Sequence, residues 1–150
     1  MNFIPQTGKV EWISVRPERR GAVRSLETVT VTEEGGLSGD HYSGSNRKRQ
    51  VTLIQKEHLD AVASILQKEI DPGLTRRNIV VSGINLLAFK EKQFKIGEVI
   101  LEMTGLCHPC SRMEENFGPG GYNAMRGHGG ITTKVIKGGE IKIGDEVRVL

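Results

Sequence analysis

Phe94-Lys95-Ile96-Gly97-Glu98-Val99-Ile100 and Ile141-Lys142-Ile143-Gly144-Asp145-Glu146-Val147 share one plan: two short apolar runs joined by a Gly-acid pair. Apolar residues two apart lie on one side of a strand. The glycine supplies a backbone angle that other residues avoid, and the acid can bond its own turn. Both segments read as hairpins. The echo is too short to be a duplication, but it argues for a chain built largely of strands.

Working outward, the same β-type reading applies to four other runs. Val10, Trp12 and Ser14 alternate with Glu11, Ile13 and Val15 ahead of Pro17, and Val29 and Val31 stand among Thr28, Thr30 and Thr32. Gln50-Val51-Thr52-Leu53-Ile54 and Asn78-Ile79-Val80-Val81 are short apolar strands. One segment has a helical period. From Gln55 to Ile70, the residues Leu59, Val62, Ala63, Leu66 and Ile70 share a face, and Asp71-Pro72-Gly73 ends the run. Strands and helices do not alternate, so a doubly wound α/β sheet is disfavoured. The expectation is one mostly β (α+β) domain over residues 1–150, a β-barrel with a few helices attached. With 5% aromatic residues, its core must be aliphatic.

Charge excludes some functions. Lys and Arg total 21 against 18 Asp and Glu, a net charge of +3. This suits a small anionic ligand but not a duplex-binding face, and no recognition helix or base-stacking motif is present. No apolar run approaches the roughly 18 residues of a membrane span, and Met1 to Gly8 has no signal-peptide pattern. The sequence therefore reads as soluble and cytoplasmic, with neither nucleic acid nor membrane as partner. Ser43-Gly44-Ser45-Asn46-Arg47-Lys48-Arg49 reads as a mobile polar loop, and Pro17-Glu18-Arg19-Arg20-Gly21 as a basic one.

Between the two echoing segments lies Thr104-Gly105-Leu106-Cys107-His108-Pro109-Cys110-Ser111-Arg112, which holds both cysteines. Ser111 to Asn116 reads as a short helical turn. A thiol at the start of a helix, with Arg112 beside it, is expected to have a lowered pKa and more thiolate. Thiolate is the form that ligates a soft metal or attacks sulfur, so Cys110 is the candidate working sulfur and metal ligand. The competing readings are an inert buried cysteine, a thioredoxin-like dithiol and half of a zinc site. The dithiol lacks its βαβ setting, and zinc lacks a second ligand pair. His41 follows Asp40 in a loop of three glycines, where a ligand contact is plausible, and His128 stands among glycines. His58 reads as helix surface. Arg76, Arg77 and Asn78 open a strand; arginine forks suit phosphate oxygens, and asparagine can bond a heteroaromatic edge.

The order of these segments resembles the MOSC domain, found at the C-terminus of molybdenum cofactor sulfurases. The matching stretches are Gly36-Leu37-Ser38-Gly39-Asp40-His41, Arg76-Arg77-Asn78-Ile79-Val80-Val81-Ser82-Gly83, Ile96-Gly97-Glu98, Pro109-Cys110 and Ile143-Gly144-Asp145. They run from about Lys9 to Leu150. The resemblance implies a closed β-barrel with peripheral helices. It implies that Cys110 carries sulfur as a persulfide or ligates molybdenum of a molybdopterin cofactor. Arg76, Asn78 and Arg112 would hold the anionic pterin, and Asp40 and His41 would line the pocket mouth. A sulfur donor of the cysteine desulfurase type, or an electron-transfer partner, is implied with it. The resemblance implies a sulfur carrier or molybdopterin-binding domain and leaves open whether it is an enzyme, a sulfur transferase or a molybdenum-dependent oxidoreductase. The alternatives are a molybdenum-dependent reductase of N-hydroxylated bases or amidoximes, and a non-catalytic binding domain.

Overall fold

The computed structural model describes residues 3–19, 21–41 and 47–150. The chain opens with Gly8–Val15 (β1), Arg24–Leu26 (β2), Thr28–Thr32 (β3) and Gly36–Leu37 (β4). A 3₁₀ turn at Arg47–Arg49 leads into Val51–Gln55 (β5) and the helix Lys56–Leu66 (α1). Then come a 3₁₀ turn at Pro72–Thr75, Ile79–Ser82 (β6), Gln93–Ile96 (β7) and Val99–Leu106 (β8). Two short helices, Ser111–Phe117 (α2) and Gly121–Met125 (α3), precede Ile131–Lys137 (β9), Gly139–Lys142 (β10) and Glu146–Val149 (β11).

Seven strands close a ring in the order β11-β7-β8-β9-β5-β6-β1, which returns to β11 through Gly8 opposite Val147. Closure removes the free edges that an open sheet would present. β2 is appended to β1, and β10-β3-β4 form a separate three-stranded sheet. The first echoing segment is a hairpin, β7 to β8 across Gly97 and Glu98. The second is not. β10 pairs with β3, whereas β11 pairs with β7 and β1, so this turn passes the chain from the small sheet into the barrel. Its Asp145 carboxylate accepts from the Lys142 amide at 2.9 Å, and Val10 exchanges backbone bonds with Gly144 and Asp145. The local turn chemistry is as expected, but long-range partners decide what it joins.

The core has two parts. Val10, Ile13, Leu53, Ile79, Val81, Phe94, Leu101 and Ile131 fill the barrel. Ile54, Val80, Leu59, Val62, Met113, Phe117 and Met125 form a second cluster between the barrel wall and the helices. All five residues of β5 are buried because one side faces the barrel interior and the other lies beneath α1. The alternation expected in β1 breaks at a bulge between Val10 and Trp12. The extra residue places Val10 and Ile13 on the same inner side, while Trp12 packs against the helices. The long helix ends at Leu66, before the expected Ile70. Gln67 takes the left-handed conformation, and its amide and that of Lys68 return to the Ser64 and Ala63 carbonyls. Within the expected mobile loop, 43–46 lie outside the described residues, and Arg47–Arg49 form the 3₁₀ turn. Among the described residues no helix is long and apolar enough to cross a membrane.

Candidate functional site

A cleft of about 230 Å³ opens where the ends of β1 and β6, the Arg47–Arg49 turn and the start of α2 converge. Arg16 follows β1 and is seated by its own backbone. Its amide donates to the Asp40 carboxylate at 2.9 Å, and its carbonyl accepts from the His41 amide at 2.8 Å. The His41 ring also meets that carbonyl, at 3.2 Å. Asp40 is buried and works through Arg16, whereas His41 lines the cleft itself. Arg19 enters from the loop beyond β1 and Arg49 from the 3₁₀ turn.

Arg76 and Arg77 both line the cleft, although consecutive residues of an extended chain point to opposite sides. Arg76 adopts φ 61°, ψ 24°, the left-handed region, and so breaks the alternation. For a residue with a Cβ this costs roughly 1–2 kcal/mol, which the surrounding contacts must offset. Arg77 is nearly buried. Its Nε donates to the Gly129 carbonyl at 2.7 Å, Nη1 to Thr75 at 3.0 Å and Nη2 to Cys107 at 3.4 Å. Burial pulls the Arg77 guanidinium below its ordinary pKa. The Cys107 and Cys110 sulfurs oppose that shift, and Arg49 and Arg16 add to it.

The far wall is α2. Cys110 stands at its N-cap with φ −125°, its side chain makes no capping hydrogen bond, and the residue is exposed at the cleft. Its carbonyl accepts from the Met113 amide at 2.9 Å, which starts the helix. Arg112 and Met113 complete the lining. Nε of Arg112 is shielded from solvent and has no hydrogen-bond partner among the described residues.

Cys107 belongs to the wall behind. It is buried, its amide donates to Gly130 at 2.8 Å, and Arg49 Nη2 donates to its sulfur at 3.8 Å. Gly129 and Gly130 permit this packing. A Cβ on Gly129 would collide with the Cys107 carbonyl, and one on Gly130, at φ 85°, with that of Leu53.

The residues singled out in sequence thus part company. Cys110, Arg76, Arg112 and His41 come together from three separate segments, with Cys110 and Arg112 both at the start of α2. Asn78 does not line the cleft. Its Oδ1 accepts from the Thr52 amide and hydroxyl at 3.0 Å each, and Nδ2 donates to the Ser14 carbonyl at 3.2 Å. It stitches β6 to β5 and β1. His128 and His58 lie elsewhere, ring to ring at 5.1 Å between α1 and the loop after α3. Arg16, Arg19 and Arg49 were not foreseen: Arg16 falls between the first strand and Pro17, and the other two sit in stretches that read as polar loop. The available signal was the preference for arginine over lysine in those loops, since the fork is the oxyanion-binding form of positive charge. Among the described residues six arginines line the cleft and no carboxylate does, so the site offers a soft sulfur beside a concentrated positive field.

The fold has solved relatives. YuaD from Bacillus subtilis superposes with a TM-score of 0.84 at 18% identity, covering 98% of each chain. YiiM from Geobacillus stearothermophilus gives 0.75 at 14% identity over 95% of this chain and 75% of that one. YiiM from Escherichia coli gives 0.71 at 16% identity, with 95% and 69% covered. Among curated proteins no sequence matches. The MOSC domain model matches residues 36–148, which include Asp40 and His41, both arginines at the start of β6, and Cys110. The closed barrel and this match over most of the chain agree, and the protein belongs to the MOSC domain family.

Proposed function

We propose that this protein carries sulfur, with Cys110 accepting a sulfane sulfur as a persulfide and passing it to a nucleophilic acceptor on the way to a metal centre. The observation behind this reading is the exposed thiol opening into a cleft lined by guanidinium groups with no carboxylate among the described residues. A persulfide is anionic with a soft terminal sulfur, and nearby cations favour it as they favour a thiolate. In delivery the acceptor attacks the outer sulfur, the S–S bond breaks, and Cys110 leaves as thiolate. A cysteine desulfurase-type protein is the donor that this reading expects. Anaerobic purification, exposure to a sulfane donor and intact-mass analysis would give one added sulfur on the wild type and none on Cys110→Ser. A wild-type thiol that gains no sulfur from any donor ends the reading.

The family is associated with molybdenum cofactor-related function, and the same arginines favour a second reading. The phosphate of a molybdopterin would meet Arg16, Arg49 and Arg76, Cys110 would be the thiolate ligand, and the metal would supply redox chemistry. The anionic end and the sulfur donor fit such a group. The ring does not find its expected partner, because the Asn78 amide is taken up by Thr52 and Ser14. The cleft is also smaller than the roughly 300–1,000 Å³ of most small-molecule sites. Sulfur carriage therefore stands first. Molybdenum that co-purifies with the wild type and is lost in Cys110→Ser would reverse the order. A reductase role, with a separate electron donor, rests on this second reading.

A further inference from the structure

We propose that the cleft binds a small thiosulfonate anion, with thiosulfate the simplest, and that this anion is a direct sulfur donor to Cys110. The inference rests on the sulfur-carrier reading and names the substrate class of that same site.

Charge is the first reason. A singly charged persulfide is balanced by one or two cations, yet six arginines among the described residues line the cleft. Crowding them there is unfavourable without a counter-ion. Burial is the main cause that lowers the Arg77 pKa, and Arg49 and Arg16 push the same way against the opposing Cys107 and Cys110 sulfurs. A dianion with several oxygens relieves that repulsion, and planar guanidinium forks match its oxygen edges.

Two local features point the same way. Arg112 keeps Nε shielded from solvent without a partner among the described residues. A shielded donor left unpaired is costly, and a bound oxygen would remove that penalty. Arg76 holds a left-handed conformation that brings it to the same cleft as Arg77, and non-glycine residues keep such backbone strain chiefly at functional sites. Size argues against larger donors. At about 230 Å³, with the His41 imidazole as the one aromatic ring among the lining residues described, the cleft offers little for a heterocycle to stack upon.

The chemistry balances. The Cys110 thiolate attacks the outer, sulfane sulfur of thiosulfate. A new S–S bond forms to Cys110, the S–S bond of thiosulfate breaks, and sulfite leaves with the electron pair. Three negative charges enter and three remain, one on the persulfide and two on sulfite. No external oxidant or reductant is needed. Charge builds on the leaving sulfite in the transition state, where fixed guanidinium donors stabilise it most.

The test incubates reduced full-length protein anaerobically with thiosulfate, or with a neutral organic trisulfide, and reads intact mass and released sulfite. The expected result is one added sulfur and one sulfite per chain from thiosulfate, and neither from Cys110→Ser. In Arg112→Gln the ratio of thiosulfate to trisulfide loading rates falls about tenfold or more, the loss expected for one charge-assisted hydrogen bond. Arg112→Lys, which keeps the charge but not the fork, falls between. On the wild type alone, excess sulfite slows iodoacetamide labelling of Cys110, which needs no variant to fold. If trisulfide loads Cys110 and thiosulfate does not, the inference is overturned while the carrier reading survives. If neither loads it, both fail. Thiosulfate loading with an unchanged rate ratio in Arg112→Gln, or no sulfite protection, also overturns the inference, because the cleft is then not where the anion binds.

Discussion

Cys107 and Cys110 are three residues apart and meet opposite surroundings. Cys107 is 2% exposed, its sulfur accepts from Arg49, and its backbone is held by Gly130 and Arg77. Cys110 is exposed at the N-cap of α2, with no capping bond from its side chain. The first sulfur is part of the wall and the second faces the cleft. Access to the cleft therefore follows from which side of a short loop a thiol occupies, not from the spacing of the pair. Arg77 and the glycines at 129 and 130 are what hold the loop with that side outward.

The sharpest way to break this contrast is to remove each sulfur. Cys110→Ser is expected to abolish sulfur loading, read by intact mass, and to move the melting temperature by no more than about 2 °C, as for other exposed sites. Next comes the support of the loop. Arg77→Met leaves the Gly129, Thr75 and Cys107 carbonyls without their donor. A loss of about 3 kcal/mol is expected, seen as a fall of about 6–12 °C in melting temperature. An unchanged melting temperature would mean that the loop is held by something else.

Cys107→Ala should be milder, about 1–2 kcal/mol by urea unfolding, for a small buried side chain. It should leave loading of Cys110 in place. If it abolished loading as completely as Cys110→Ser, the two thiols would act as one dithiol and the contrast would be lost. The smallest effect lies in the helix layer. Burial lowers the His58 pKa, His128 lowers it further, and Glu57 opposes them. A histidine whose folded pKa is depressed favours the unfolded state once protonated. That contribution to stability is whole above the ordinary value of 6.5 and is lost as the pH falls below it. Melting curves from pH 8 to pH 5 should show a loss on the acid side that is reduced in His58→Gln. Equal acid sensitivity in both proteins would move its source away from this pair.

Local pattern carried much of the fold. The strands at Val10–Val15, Thr28–Thr32 and Ile79–Val81, the α1 stripe and the Gly97 hairpin each rest on neighbours within a few residues, and all of them form. The Gly144 turn shows the limit. Its residues match those at Gly97, yet β10 and β11 go to different sheets, because their partners β3, β7 and β1 lie far off in sequence. Asn78 shows the same limit in the site. Its identity suggests a ligand contact, but Thr52 and Ser14, brought alongside by strand pairing, take its amide.

The amino-acid sequence by itself determined a strand-rich barrel, one amphipathic helix and a cysteine beside a helix start, since these depend on periodicities of two and 3.6 and on single-residue preferences. The sign of the site was decided by the tertiary structure. Arg76, Arg77 and Arg112 stand out in the sequence, Arg16, Arg19 and Arg49 do not, and only barrel closure brings all six around one sulfur. Charge is a property of a residue, but electric field is a property of where residues meet, and that meeting is set by long-range pairing.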